Sequence, residues 1–488
     1  MIQIFKLPNL NPSSLKGKKA LVLGAGYSGL AISKYLDNFG CKLLVADSRE
    51  NPPNSKEFFQ IETAIEKVDF DSPSDSFVNS FLSNIDFIAI SPGIPLDNQL
   101  IKIANNRLIP LVSEIEIFGQ ALLELDPNSK IVGISGSNGK TTVTSMLGML
   151  LSKTGVDCEV VGNIKPAVLE RLLARIKSNS KLPLIWVVEL SSFQLATTYR
   201  TKFSLGVVLN FSNNHLDWHP NLDDYFNSKQ KLYTLSKSCI INLDDQKCQQ
   251  MAKHLSHKII ATFALNSLAD FTINNQTQEI IVSGKTIGSR LQSSLVGKHN
   301  SSNILAAIAL YQNLGFSINN AVDYLSEFKG LAHRTELVAT IDGVDFINDS
   351  KSTTVASTIA AILGLSENER KIILIAGGIS KNQDFSELSE VIDKKLKKLI
   401  LFGIDAKKIE SDIIEKRPKN FENNLEVNSQ FKSALNRALN ISDTGDIILF
   451  SPACASYDMF TNYEERGEAF KNWVRNFQKE NFELIKSD

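Results

Sequence analysis

The chain is poor in the residues that build secreted or sulfur-ligated scaffolds. It has five cysteines, Cys41, Cys158, Cys239, Cys248 and Cys454. Their number is odd and no two stand in a C-x-x-C spacing. Neither a disulfide framework nor a cysteine zinc site is expected, and a reducing cytoplasm is the expected compartment. The six histidines include no H-E-x-x-H pair. No apolar run reaches the ~18 residues needed to cross a bilayer. Residues 1–12 have neither a basic start nor a long apolar stretch, so no membrane span and no leader peptide is expected. Charge of one sign is also lacking: 52 Lys and Arg face 53 Asp and Glu. That balance argues against a chain built to grip nucleic acid or an anionic membrane surface. Repeats of solenoid period and low-complexity tracts are absent.

What is present is material for ordinary cores. Of 488 residues, 43% are hydrophobic, near the globular mean, and at roughly 150 residues per domain the length suits about three domains. Residues 19–24 (KALVLG) form a short apolar run ending at glycine, which predicts a buried strand. The spacing predicts a helix over 28–39 and strands at 42–47 and 85–90, the last running into Ser91-Pro92-Gly93. This order predicts a doubly wound parallel sheet. The stretch 124–130 (ELDPNSK) reads as a linker. Strands at 131–135, 185–190 and 205–210 follow. Residues 259–296 alternate apolar and polar, which predicts short antiparallel strands appended to the second domain. A helix is expected at 303–314 and a second boundary near 330–333. Strands at 344–347, 371–376, 398–402 and 446–450 then make a third α/β domain.

Two glycine loops stand between a predicted strand and a predicted helix. Gly24-Ala25-Gly26-Tyr27-Ser28-Gly29 is G-x-G-x-x-G. Glycine there lets backbone amides approach a phosphate, and the helix N-terminus adds partial positive charge. Asp47 ends the next strand, where it could accept hydrogen bonds from a ribose or a base. A nicotinamide cofactor or a UDP-linked ligand would use the same cradle. The second loop is Gly136-Ser137-Asn138-Gly139-Lys140-Thr141-Thr142. It departs from the strict P-loop pattern, because Ile134 stands five before Gly139. The chemistry is retained: amides wrap phosphates, Lys140 neutralises β/γ oxygens, and a threonine hydroxyl faces Mg²⁺. A dehydrogenase needs one cofactor and no ATP. Two cradles predict a protein that energises one nucleotide-bearing molecule with another. The expected fold class is α/β in three domains: 1–127 Rossmann-like, 128–332 a P-loop ATP-binding domain with added antiparallel strands, and 333–488 Rossmann-like.

Residues 136–142, together with 189–195 (ELSSFQL), 213–219 (NNHLDWH), Tyr225 to Tyr233, His299 to Asn303, 330–334 (GLAHR) and 348–351 (NDSK), resemble the motifs of the Mur ligases in their order. Residues 91–95 (SPGIP) and 451–458 (SPACASYD), running on to Arg466-Gly467, resemble the branch of that family that adds D-glutamate. The resemblance runs through nearly the whole chain. It implies an ATP-dependent cytoplasmic ligase of peptidoglycan precursor synthesis. ATP would phosphorylate the carboxylate of UDP-N-acetylmuramoyl-L-alanine, and the amine of D-glutamate would attack the acyl phosphate. A tetrahedral intermediate would collapse to the amide, ADP and phosphate. A carboxylate is a poor electrophile, so phosphate is installed as a leaving group, and holding anions beside ATP requires cations. The first domain would bind the UDP-linked substrate, the central one ATP, and the third the amino acid. A monomer is expected.

Carried over residue by residue, the resemblance implies that Thr141, Glu189, His215 and a carbamylated Lys229 hold two Mg²⁺ ions. Lys140 and Lys351 would neutralise phosphate and acyl-phosphate charge. Asn300 and Asn303 would contact adenine, Arg334 the γ-phosphate and Asp349 the ribose of ATP. Ser28, Asp47, Ser48 and Arg49 would meet uracil and its ribose, with Ser91 and Gly93 beside the diphosphate and Asn163 at the sugar-linked part. Thr353, Lys381, Ser456, Tyr457 and Tyr463 would surround D-glutamate. Asn214 stands where many relatives carry Asp, and Ile379-Ser380 where relatives have an acid. Phe193 and Trp218 read as packing.

Overall fold

A computed structural model describes residues 7–485 apart from 62, 217, 294, 296, 366–369, 382, 416–424 and 429. Three sheets carry the fold. The first holds β1 (Lys19–Leu23), β2 (Lys42–Asp47), β3 (Ile65–Lys67), β4 (Phe87–Ile90) and β5 (Leu111–Val112) in the order β3-β2-β1-β4-β5, all parallel. β1, β4 and β5 are buried, mainly apolar runs, as expected of strands covered on both faces, whereas the edge strand β3 is mostly exposed. The chain leaves β1 toward β2 on one side and returns to β4 on the other. That topological switch opens a crevice at the strand ends, where the first glycine loop follows β1 and Ser91 follows β4.

The second sheet contains β6 (Lys130–Ser135), β7 (Cys158–Gly162), β8 (Ile185–Glu189), β9 (Phe203–Val208), β10 (Ser236–Asn242), β11 (Ile259–Phe263), β12 (Phe271–Ile273), β13 (Glu279–Val282) and β14 (Lys285–Ser289). Its order is β14-β13-β12-β11-β10-β9-β6-β8-β7. The antiparallel expectation for 259–296 holds for β12, β13 and β14. It fails for β11, which pairs in parallel with both β10 and β12. Alternation reports a half-covered face but carries no information on strand direction. The helix Glu114–Leu125 ties the first two sheets together. Its buried Glu116 accepts the amides of Tyr199 (2.8 Å) and Arg200 (2.9 Å), and Ser113 Oγ meets Thr198 Oγ1 at 2.8 Å.

The third sheet holds β15 (Glu336–Ile341), β16 (Val344–Asn348), β17 (Ile372–Gly377), β18 (Leu396–Phe402), β19 (Leu425–Val427) and β20 (Ile447–Phe450) in the order β15-β16-β20-β17-β18-β19. β16, β20 and β17 run parallel, so the loops that follow them emerge at one edge. β15 is an antiparallel edge strand. The protein packs as two compact units: Met1–Gln292 with Ser302–Leu325, and Ser293–Ser301 with Ser326–Asp488. Among the described residues, no helix is long and apolar enough to cross a membrane.

Candidate active site

In the first unit, the cradle after β1 is shaped by close backbone approach. Gly24 has φ +90°, and a Cβ at Gly29 would overlap the Gly24 carbonyl. Ser91 Oγ donates to the same Gly24 carbonyl at 2.9 Å, closing the loop from β4. Asp47 is buried at the end of β2. Its carboxylate accepts the Ala25 amide (2.7 Å), the Arg49 amide (2.9 Å) and the Arg49 guanidinium (2.8 and 2.7 Å). Burial opposes its ionisation, and the hydrogen bonds from Arg49 and Ala25 overcome that, holding the carboxyl below the usual range. Asp47 therefore fixes the glycine loop and Arg49. Its two oxygens accept four hydrogen bonds from the protein.

The second loop follows β6, the strand between β9 and β8. Gly136 (φ +150°) and Gly139 (φ +81°) turn it, and the helix Lys140–Lys153 begins directly after. Lys140 Nζ donates to the carbonyls of Gly136 and Ser137, both at 2.9 Å. Asn210 pins the loop from β9, accepting the Asn138 amide at 2.8 Å. Tyr225 OH meets Ser137 Oγ at 2.9 Å. Asn303 lies against Gly139, where an added Cβ would run into its carboxamide. Asn300 stands one turn earlier on the same helix, Lys298–Asn313.

Glu189 ends β8, next to β6 in the sheet, and is 2% exposed. One carboxylate oxygen accepts Asn163 Nδ2 at 2.8 Å; the other is buried without a hydrogen-bond partner. Lys229, on the helix Leu222–Leu235, is also buried. Its Nζ donates to the Gly136 carbonyl at 2.8 Å and lies 4.8 Å from the Tyr225 ring centroid. Burial, reinforced by the charge of Lys140, pushes its ammonium well below the usual range. His215 has φ +58°, with its amide donating to Asn214 Oδ1 at 2.8 Å. The amide at position 214 thus supports the turn that presents His215. The His215 ring packs edge-on against Phe193 (4.9 Å) and meets Tyr225 at 5.9 Å, while Phe193 stacks on Trp218 at 4.5 Å. Packing is what the sequence suggested for Phe193 and Trp218. Glu189, Lys229 and the second glycine loop converge at the ends of β6 and β8.

In the second unit, the loops after β16, β17 and β20 form a separate cluster. Asp349 is buried and accepts the Thr335 amide (3.0 Å), Ser352 Oγ (2.6 Å) and Ser451 Oγ (2.7 Å). Burial outweighs these bonds and raises its carboxyl to about 6. Lys351 Nζ sits 3.8 Å from the Tyr463 ring centroid. Arg334 is half-buried, two residues before β15. Lys381 has φ +48° and places Nζ 5.7 Å from the Tyr457 ring, which is exposed; Ser456 is buried beside it in sequence. Gln383 stitches this edge: its Nε2 reaches the carbonyls of Thr353 (3.2 Å), Ser380 (3.1 Å) and Ala453 (3.3 Å).

Comparison with known proteins decides the family. Residues 18–113 match the Mur ligase MurD-like N-terminal domain, 134–311 the Mur ligase middle domain, and 333–454 the Mur ligase glutamate ligase domain. A UDP-N-acetylmuramoylalanine–D-glutamate ligase of Nitrosomonas europaea is 37% identical over 471 residues, 94% of this chain and 96% of its own length. One from Nitrosospira multiformis is 38% identical over 473 residues, 95% of this chain and 97% of its own. The chain belongs to the Mur ligase family. The fold agrees: MurC of Thermotoga maritima has a TM-score of 0.57 at 16% identity, covering 95% of this chain and 99% of that one. MurF of Acinetobacter baumannii gives 0.56 at 15% identity, covering 91% and 89%.

Sequence reasoning about this Mur ligase missed several supporting residues. His219 Nε2 meets Ser192 Oγ at 2.9 Å and its Nδ1 meets Asp224 Oδ2 at 2.6 Å. It thereby ties the His215 loop to the helix that carries Lys229. Asp405 accepts the Ser380 amide at 2.7 Å, so an acid reaches the neutral Ile379-Ser380 turn from the loop after β18. Arg466 is fully buried, with Nη2 on the Ser350 carbonyl (2.8 Å) and Nη1 without a hydrogen-bond partner. The motif residues Ser192, His219 and Arg466 stood in the sequence, but the contacts His219–Ser192 and Arg466–Ser350 join residues 27 and 116 apart. No signal pointed to Gln383 or Asp405.

Proposed function

We propose that this Mur ligase joins D-glutamate to UDP-N-acetylmuramoyl-L-alanine, converting ATP to ADP and phosphate, in peptidoglycan precursor synthesis in the cytoplasm. The observation that carries the reading is the likeness to D-glutamate ligases, which spans 94–95% of the chain at 37–38% identity. The geometry supports it. The first cradle suits a UDP diphosphate, the second a triphosphate, and the cluster around Lys381 and Ser456 the amino acid.

The residues present also fit magnesium. Glu189 offers a buried carboxylate oxygen with no other partner, and a buried anion of that kind calls for a cation. Among the described residues no group of three His, Cys, Asp or Glu is gathered, so the donor set is mixed: Thr141, Glu189, His215 and a carbamylated Lys229 would hold two ions. Magnesium there would offset triphosphate and acyl-phosphate charge. Lys229 is suited to carbamylation because burial favours its neutral amine, the form that attacks carbon dioxide. The products are a carbamate anion on Nζ and one released proton, so a buried neutral amine becomes an anionic donor. Asn163 fixes Glu189, in addition to the sugar-side contact proposed for it. Lys140 would leave the Gly136 and Ser137 carbonyls for the β/γ oxygens. Asn303 would seat adenine against Gly139, with Asn300. In the second unit, Arg334, Asp349 and Lys351 would serve the γ-phosphate, ribose and acyl phosphate. Thr353, Lys381, Ser456, Tyr457 and Tyr463 would hold the two carboxylates and the amine of D-glutamate.

Phosphate release by the purified protein tests this reading. It should require ATP, UDP-N-acetylmuramoyl-L-alanine and D-glutamate together. Equal release with either acceptor omitted would reject it.

A further inference from the structure

We propose that Lys165 is a further substrate-binding residue of the first cradle, its ammonium neutralising the diphosphate of the UDP-linked substrate. The inference rests on the UDP reading of that cradle given above.

The cradle is shaped for an anion but brings little charge of its own. The helix Tyr27–Asn38 begins at Gly26 without a side-chain cap, so its first amides face the loop. A helix N-terminus supplies roughly half an elementary charge, too little for a doubly charged diphosphate. A Cβ at Gly26 or at Gly93 would meet nothing within 4 Å, so both walls leave room for a ligand. Arg49, two residues past the end of β2, has its guanidinium engaged by Asp47.

Lys165 arrives from the second sheet, in the turn after β7 and two residues past Asn163. Its Nζ stands 5.1 Å from the ring centroid of Tyr27, the first residue of the helix that closes the cradle. Tyr27 is held in turn. Its hydroxyl donates to the Glu170 carboxylate and accepts the Ala167 amide at 3.4 Å. Burial, then the bond to Glu170, raises the phenol to about 12, so it remains a donor at neutral pH. The ring is thus a fixed platform, and the lysine lies along it at the rim of the cradle. Lys165 is exposed, so an entering ligand can reach it. Among the described residues no carboxylate pairs with it.

Magnitudes decide where the ammonium goes. An exposed cation–π contact contributes about 0.5–1 kcal/mol. A hydrogen bond to a charged group contributes about 1.5–3 kcal/mol. An arriving phosphate therefore draws Lys165 off the ring.

Calorimetric titration with UDP-N-acetylmuramoyl-L-alanine and with UDP, on wild type, Lys165→Ala and Lys165→Arg, tests the proposal. Lys165→Ala should weaken both ligands about tenfold, the factor that 1.4 kcal/mol represents. Lys165→Arg keeps the charge and should stay within about threefold. Affinity should also depend less on salt in Lys165→Ala than in wild type. ATP binding, titrated in parallel, should change less than about twofold, since the Lys165 ammonium stands over Tyr27 of the first cradle and not in the second glycine loop. Wild-type affinity for both uridine ligands in Lys165→Ala would overturn the proposal alone. So would an equal loss of ATP binding. A wild-type protein that binds neither uridine ligand would overturn the UDP reading, and the proposal with it.

Discussion

Gly139 is where the second glycine loop and the helix Lys140–Lys153 meet, and adding one methyl group there separates two effects. Gly139 has φ +81°, and its hypothetical Cβ would lie 3.2 Å from Asn303 Cγ and 3.3 Å from Nδ2, with Oδ1 nearer still. In Gly139→Ala the Asn303 carboxamide must retreat on the order of 1 Å to reach the ~3.5 Å separation of ordinary packing. Asn303 is buried, so it cannot simply swing into solvent. The left-handed backbone adds about 1–2 kcal/mol of strain for any residue with a Cβ. If Asn303 seats adenine, its retreat removes hydrogen bonds that contribute roughly 0.5–1.5 kcal/mol each. ATP affinity should then fall by about tenfold or more. Calorimetric ATP binding to wild type, Gly139→Ala, Asn303→Ala and the double variant reads the coupling. On the Asn303→Ala background the methyl group has no carboxamide to displace, so its effect should shrink by about 1 kcal/mol, within the range typical of contacting residues. A methyl effect of the same size in both backgrounds would refute transmission through Asn303.

Two further perturbations use buried ionisable groups. Burial, with the charge of Glu170 adding to it, raises Glu114 to about 7, and one of its oxygens has no hydrogen-bond partner. The folded protein therefore holds this proton more tightly than the unfolded chain, whose carboxyl titrates near ~4.3. Stability falls as pH rises through that window. Glu114→Gln keeps an acceptor for the Leu169 amide, so its advantage over wild type should grow between about pH 5 and about pH 8, toward roughly 3 kcal/mol. A melting-temperature gap that is constant with pH would refute this. Lys229→Ala should lose most activity and regain part of it with acetate or formate, which can occupy the place of a carbamate; no rescue at any concentration would count against carbamylation.

The parts of the fold legible in the sequence are those with uniform surroundings. β1, β8, β17 and β20 are apolar on both faces, so a short hydrophobic run ending at a turn suffices to find them. β10 was not found, because it opens with Ser-Lys-Ser, and β15 was not found because its residues are mostly half-exposed at a sheet edge. The loops that follow buried strands were equally legible, since glycine and lysine at fixed spacing carry their own chemistry. What periodicity cannot reveal is which distant side chain completes a loop. Asp405 reaches Ser380 across 25 residues, and His219 reaches Ser192 across 27. Asp47 shows the converse. Its position after a glycine loop suggested a ligand contact, and nothing in that pattern announced its bonds to Arg49, two residues on.

The irregularities that remain are not spread evenly. Among the described non-glycine residues with left-handed backbone, Gln278, Ser283 and Asp342 lie at turns between short strands, where such a conformation is routine. His215, His333, Lys381 and Ala453 share it in the loops that border the two clusters. A left-handed residue with a side chain costs about 1–2 kcal/mol, and each buried polar atom without a partner costs about 1–3 kcal/mol. Glu189 and Arg466 carry such atoms, one in each unit. Neither unpaired atom improves stability. A group that supplies the missing partner is bound by the folded chain and not by the unfolded one. Its binding must therefore stabilise the protein in proportion to its affinity. A cation beside Glu189 would meet that requirement, and so would an acceptor at Arg466 Nη1.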